Sequence, residues 1–225
     1  MPGTGPRPGA GPTASPGSGR RFAGMPEDLP TAPATVRVRR ATTEDAPALA
    51  VLAALTFPLA CPPGTSPEAI AEHVATQLSP ERFRAWAASA AHALLLVEPV
   101  PDDVADDVPD AHDASGLLGY ALLVRGEPDD PEVAAAVGPG EAVELSKIYV
   151  HPAAQGTGVA GVLMTAAAEA AARLGPGLRV WLGTNGLNAR AQAFYRKHRF
   201  DVVGGRSYVV GGETHTDVVM ALPRA

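Results

Sequence analysis

The segment from 142 to 174 restricts the fold of this chain more than any other. "AVELSKIYV" (142–150) has the length and apolar content of a strand, and after "HPAAQ" it gives way to "GTGVAGVLMTAAAEAAARL". In that second part Val159, Val162, Leu163, Ala166, Ala167, Ala170, Ala171 and Leu174 recur at helical spacing. The spacing predicts a helix from about 156 to 174 with one buried face. Thr165, Glu169 and Arg173 lie off that face, the last two as a supporting i, i+4 pair. A strand that passes through a glycine turn into a helix belongs to a layered α/β architecture, and it aims the free N–H groups of the first helical turn beyond the strand end.

Gly156, Gly158 and Gly161 spell G-x-G-x-x-G, the letters of a dinucleotide-binding fingerprint. The context argues against that cofactor. A dinucleotide turn follows its strand at once, whereas here His151 to Gln155 intervene, and the next strand, "LRVWLGT" (178–184), ends without the acid that would hold a ribose. Gly161 suits close packing of helix on sheet. Gly156 and Gly158 at the extreme N-terminus suit a cradle for phosphate, so a pyrophosphate site is expected and a nicotinamide or flavin site is not.

The flanking sequence supplies the rest of a mixed sheet covered by helices. Val36 and Val38 alternate with Arg37 and Arg39 as in a half-buried strand, and Thr42 with Asp45 starts the helix "APALAVLAALTF". Ser66-Pro67-Glu68 and Ser79-Pro80-Glu81 each open a further helix. Segments 91–98 and 115–126 read as strands, 188–199 as a helix, and the C-terminal stretch as two strands around Gly211-Gly212. Residues 1–34, rich in Gly, Pro, Ser and Ala, read as a disordered tail, with Met25 a candidate start, and 35–222 as one domain. Segment 99–114 is acidic and free of Lys and Arg, a solvated hairpin loop or a docking surface for a basic partner.

A net charge of −6 argues against nucleic acid as a partner. The single cysteine, Cys61, forms no internal disulfide, and the 6 histidines show no metal-ligand spacing. No apolar run approaches the roughly 18 residues of a membrane span, and Arg20-Arg21 is not followed by an apolar export segment. A cytoplasmic protein without a metal is expected.

"VELSKIYVHPAAQGTGVAGVLM" resembles the acetyl-CoA motif of the GNAT N-acetyltransferase superfamily, in which a strand and a short loop lead to Q/R-x-x-G-x-G/A at a helix start. Gln155, Gly158 and Ala160 fill that pattern in order. "NARAQAFYRKHRF" resembles the family's N-x-x-A-x-x-F/L-Y-x-x-x-G-F through Asn188, Ala191, Phe194, Tyr195 and Phe200, with Arg199 where glycine is usual. The resemblance covers about 35–222. It implies a mixed, mostly antiparallel sheet of six to seven strands flanked by helices, with two central strands splayed apart.

The resemblance also implies a chemistry. Acetyl-CoA delivers its acetyl group directly to an amine, so the site needs a pyrophosphate cradle, an oxyanion donor, a base and an acid. The cradle is the backbone of Gly156, Thr157, Gly158, Val159 and Ala160 beside Gln155. Ile148, Tyr149 and Val150 run along the cofactor, with Ile148 N–H facing the thioester carbonyl and Val150 pairing with the pantetheine arm. Asn188 is placed against the pantetheine or phosphate region. Glu144 stands where histone-acetyltransferase members carry their general base, although a strand acid paired with Lys147 or an arginine is the plainer reading. Tyr195 is the candidate general acid to the leaving thiolate, against a tyrosine that merely packs at a helix–sheet seam.

The acceptor pocket is expected from the first helices. "TFPLACPPGTSPEAIAEHV" resembles polyamine-acetylating bacterial members, with Phe57 and Cys61 as candidate lining. A small amine or polyamine is the first expected acceptor. A protein N-terminus or lysine is the second, and an acetyl-CoA-binding sensor without turnover is the third reading. A homodimer is a possible assembly for such a family member.

Overall fold

The computed structural model describes residues 36–61, 64–100, 115–210 and 213–223. The expected tail and nearly all of the acidic segment lie outside them. The first half of the chain runs β1 (Val36–Arg40), α1 (Ala46–Thr56), α2 (Pro67–Gln77), α3 (Pro80–Ala88), β2 (His92–Pro99), β3 (Gly119–Gly126) and α4 (Pro131–Val137). The second half runs β4 (Ala142–Val150), α5 (Val159–Leu174), β5 (Val180–Asn185), α6 (Ala189–Lys197), β6 (Asp201–Val210) and β7 (Glu213–Ala221).

Local chemistry explains where the early helices begin. Ser66 Oγ accepts from Ala69 N–H at 3.1 Å and Ser79 Oγ from Arg82 N–H at 3.4 Å, each with proline at the first helical position. Asp45 accepts from Thr42 N–H at 2.7 Å and fixes a short 3₁₀ turn ahead of α1. Helix α4 was not expected, yet Asp130-Pro131-Glu132 carries the same signal: Asp130 Oδ1 accepts from Glu132 N–H at 2.8 Å and Val133 N–H at 3.1 Å.

The strands form a seven-stranded sheet in the order β1-β2-β3-β4-β5-β7-β6. Every pairing is antiparallel except β4 with β5, which is parallel and holds only at Val143↔Val180 and Glu144↔Trp181. Beyond Glu144 the two strands separate and leave a wedge in the middle of the sheet. On its other side β4 pairs with β3, but Leu122 faces Lys147 while Leu123 faces Leu145. Ser146 is therefore an extra residue in β4, a β-bulge, and it shifts the side-chain alternation of everything after it.

Both faces of the sheet are covered. Val143, Leu145, Ile148 and Val150 of β4 face α5, which packs Val159, Leu163, Met164, Ala167, Ala170 and Ala171 against them. Burial of a side chain such as Leu163 contributes roughly 1.5–3 kcal/mol. On the opposite face α1 and α3 bury Leu49, Leu52 and Phe83 against Leu94, Leu96, Tyr120 and Leu122. Helix α4 buries Val133 and Val137 against Trp181, Val219 and Ala221 on that same face.

Helix α5 differs from the expectation in three ways. It starts at Val159 rather than 156 because the two preceding glycines form a turn. Val162 is 45% exposed while Met164, at 2%, takes the core position. Gly161 is not there for packing, because a Cβ built on it meets nothing within 4 Å. At the end of α6, Arg199 has φ 70°, so it adopts the left-handed conformation natural to the family's glycine. No helix among the described residues is long and apolar enough to cross a membrane.

Candidate active site

The mouth of the wedge is built by the loop after β4. His151 Nδ1 accepts from Ala153 N–H at 3.1 Å, and Thr157 Oγ1 donates to the Ala154 carbonyl at 2.7 Å, so a short 3₁₀ turn and the residue after it are pinned. Gly156 at φ 85° and Gly158 at φ 92° then reverse the chain into α5. Intrahelical bonding begins with Gly161 N–H and Val162 N–H on the Gly158 carbonyl at 2.9 and 3.2 Å. The N–H groups of Val159 and Ala160, at the first two helical positions, have no intrahelical acceptor, and the positive end of the helix dipole adds to them. A Cβ on Gly156 or Gly158 would project into open space, so the turn forms a cradle whose floor is bare backbone. That geometry fits a pyrophosphate. Gln155 is exposed beside it.

The inner wall of the wedge is main chain. His151 N–H donates to the Leu118 carbonyl at 2.9 Å, so by antiparallel alternation residues 149 and 151 direct their N–H groups to β3. Ile148 and Val150 direct theirs the other way, into the wedge where β5 has diverged. Their side chains remain in the α5 core, so the donors are held on a rigid strand.

The bulge gathers the polar side chains of β4 on the face of α1–α4. Glu144 pairs with Trp181 across the parallel ladder, and both line a cavity of about 210 Å³ with Val124, Val133, Asp129 and Arg206. Burial raises the Glu144 carboxyl, and nearby Lys147 and Arg206 hold it partly back. The alternative to a general base, a pairing with Lys147 or an arginine, is not made: among the described residues Glu144 has no ion pair, and Arg206 bonds Asp217 at 3.0 Å. Lys147 lies over the Trp86 ring, 5.2 Å from its centroid, and burial pushes its ammonium down. Tyr149 stacks on Tyr120 at 5.5 Å, and burial pushes its hydroxyl up to about 12.

Tyr195 reaches the same region from α6. Burial and then Tyr149 push its hydroxyl up to about 12, and its ring packs edge-on against Phe194 and Phe200. Asn188 stands two helical turns away, where its Oδ1 caps α6 by accepting from Ala191 N–H at 3.0 Å, while its amide nitrogen can donate to a cofactor. Phe57 stacks on His73 at 4.3 Å, and Cys61 Sγ donates to the Phe57 carbonyl at 3.4 Å. Cys61 is near enough to Tyr149 to raise its hydroxyl, and burial raises the Cys61 thiol, so it stays protonated. Trp86 and His73 were not singled out from the sequence, and Lys147 only as a partner for Glu144. Lys147 could be placed on this face only by knowing the bulge.

A sheet wedged open at its centre, with free main-chain donors along one wall and a glycine-turned helix N-terminus at its mouth, defines an acyltransferase that draws its acyl group from a coenzyme A thioester. Residues 70–200 match the acetyltransferase (GNAT) family, and the chain belongs to that family as an acetyl-CoA-dependent N-acetyltransferase. It is 40% identical over 176 residues, 78% of this chain and 96% of the other, to an uncharacterised N-acetyltransferase of Mycobacterium tuberculosis. In fold it is similar to the PaiA N-acetyltransferase of Thermoplasma acidophilum in complex with coenzyme A, at TM-score 0.58 and 18% identity over 84% of this chain and 98% of that one. It is also similar to the ribosomal-protein-S18-alanine N-acetyltransferase of Escherichia coli, at TM-score 0.54 and 16% identity over 85% and 95%.

Proposed function

We propose that this enzyme transfers the acetyl group of acetyl-CoA directly to the nitrogen of a small-molecule amine. One observation carries the reading: beyond Glu144 the sheet opens into a wedge whose wall bears the N–H groups of Ile148 and Val150, with the half-buried Tyr195 of α6 near Tyr149. Glu144, directly or through a water molecule, takes the proton that an ammonium acceptor must lose before it attacks. The nitrogen then bonds to the acetyl carbonyl carbon while the carbon–sulfur bond breaks. Ile148 N–H donates a hydrogen bond to the carbonyl oxygen as charge gathers there. Tyr195, its hydroxyl pushed up to about 12, gives its proton to the departing sulfur, and the second proton that the nitrogen sheds as the amide forms returns the tyrosinate to its hydroxyl form through solvent.

The pyrophosphate of acetyl-CoA rests on Gly156 to Ala160, and the pantetheine arm pairs with Val150. The exposed carboxylates of Glu127 and Asp129 at the rim of the cavity beside Glu144 attract an ammonium-bearing acceptor, amino acid and polyamine alike. The test is thiol release from acetyl-CoA against polyamines, amino acids, other small amines and peptides. Turnover on a small amine but not on peptides is expected. Turnover confined to peptides, or coenzyme binding with no turnover on any amine, refutes the proposal.

A further inference from the structure

Lys147 is the charged group of the site that this reaction does not use. The bulge at Ser146 turns its side chain away from α5 and onto the face that carries Glu144 and Tyr149. There its ammonium is partly removed from water and lies over the indole of Trp86, on α3, 5.2 Å from the ring centroid. Among the described residues it makes no hydrogen bond and no ion pair. An indole face replaces only part of the hydration an ammonium loses on burial.

The charges around Lys147 come from each element packed there. Glu144 on its own strand is the negative one, Arg82 on α3 adds positive charge, and His73 on α2 has its imidazole pushed down by burial and by Lys147 itself. Arg82 is turned to Gln77 Oε1 at 2.8 Å. The two charges that act on Lys147 are thus opposite in sign, Glu144 negative and Arg82 positive. Glu144 and Lys147 stand on one face with opposite charges, near enough to bias each other and yet unjoined.

We propose that Lys147 binds a carboxylate of the acceptor, so that the acceptor is an amine with a carboxylate close to its amino group, as in an α-amino acid. The inference rests on Glu144 serving the amine, as in the proposed function. The ammonium of such a head group is presented to Glu144 and its carboxylate to Lys147. Each half-buried charge gains the partner it lacks, and the two protein groups keep their separation. A polyamine has no group for Lys147 and brings a further positive charge towards it.

The test compares α-amino acids with their carboxamides, which keep the size and remove the negative charge, alongside spermidine, by thiol release from acetyl-CoA with the native sequence. For the acceptor that is used best, kcat/KM should exceed that of its carboxamide by at least about tenfold, the scale of one charge-assisted contact, mostly through KM. Lys147→Met should bring this ratio close to one and Lys147→Arg should restore it, with coenzyme A binding used to verify that each variant is folded. Carboxamides or spermidine turning over as well as the free amino acids overturns the inference while leaving the transferase reading intact. The same holds if the ratio survives in folded Lys147→Met. No turnover on any amine overturns both.

Discussion

Gly158→Ala separates the shape of the cradle from its strain. Gly158 has φ 92°, and an L-residue held in the left-handed region loses roughly 1–2 kcal/mol. The added Cβ meets nothing within 4 Å, so no steric penalty is expected in the free protein. For a chain of this size that loss lowers Tm by about 2–8 °C. Gly140, with φ 88° and equally open surroundings, lies in the turn before β4 and away from the wedge, so Gly140→Ala should show a similar loss. Coenzyme A binding then distinguishes them. Strain present in both free and bound protein cancels from the dissociation constant, whereas a methyl group on the cradle floor meets the ligand. Gly158→Ala should raise the Kd for coenzyme A at least about tenfold, about 1.4 kcal/mol, and Gly140→Ala should leave it unchanged. Calorimetric titration with thermal melts of both variants checks this. Equal dissociation constants for the two variants would refute the cradle, and an unaltered Tm in both would refute the strain argument.

Three further outcomes are expected. Tyr195→Phe should lower kcat about a hundredfold with little change in the KM for acetyl-CoA, read by steady-state thiol release; undiminished kcat removes the hydroxyl from the mechanism. Burial raises Glu144, and its basic form exists only above that raised value, so kcat/KM for the acceptor should fall with pH at a point above the ordinary glutamate value of about 4.3. Glu144→Gln should be slower and lack that limb, and a profile of wild-type shape in the variant assigns the base elsewhere. Arg39 donates to Asp45 at 2.7 and 2.8 Å and to Glu98 at 3.1 Å, and holds the Asp45 carboxyl well below the usual range. A depressed carboxyl stabilises the fold above its unfolded value of about 3.9, and that contribution is lost as pH falls below it. Arg39→Met should therefore destabilise by about 1 kcal/mol at pH 7 and by progressively less below about pH 4, measured by urea denaturation; an equal difference at both ends contradicts the assignment.

The expected sheet agrees with the structure: its mixed pairing followed from the local strand and helix signals, and its antiparallel majority and central splay from the family resemblance. Strand β4 occupies the expected 142–150, and Gln155, Gly158 and Ala160 lie in a glycine turn and helix start as the motif requires. Helix α4 was missed although Asp130-Pro131 announces it, since its 7 residues are too short to display a period. Val162 was misassigned because alanine-rich positions leave the phase of a helix poorly determined, and only the sheet settles which stripe is buried. The site was legible as a set of residues but not as a charge arrangement. The sequence places Glu144 and Lys147 three apart, which on an unbroken strand means opposite faces, and nothing local declares the extra residue at Ser146. The cap that occupies Asn188 Oδ1 was equally hidden, because an asparagine before a helix reads the same whether its side chain serves the backbone or a ligand.

The bulge has a consequence for how this enzyme can vary. The donors of the wedge are peptide groups, so replacing Ile148 or Val150 by another apolar residue keeps them, while a change in chain length does not. Drawing Ser146 into the ladder would leave composition, charge and hydropathy unchanged, yet it would slip the rest of β4 by one position. Lys147 would then turn into the α5 core, and the donors now facing the wedge would turn towards β3. Tolerance at this strand is thus permissive to spelling and strict about counting, and the number of residues from the bulge to Gln155 is the quantity that a working relative must conserve.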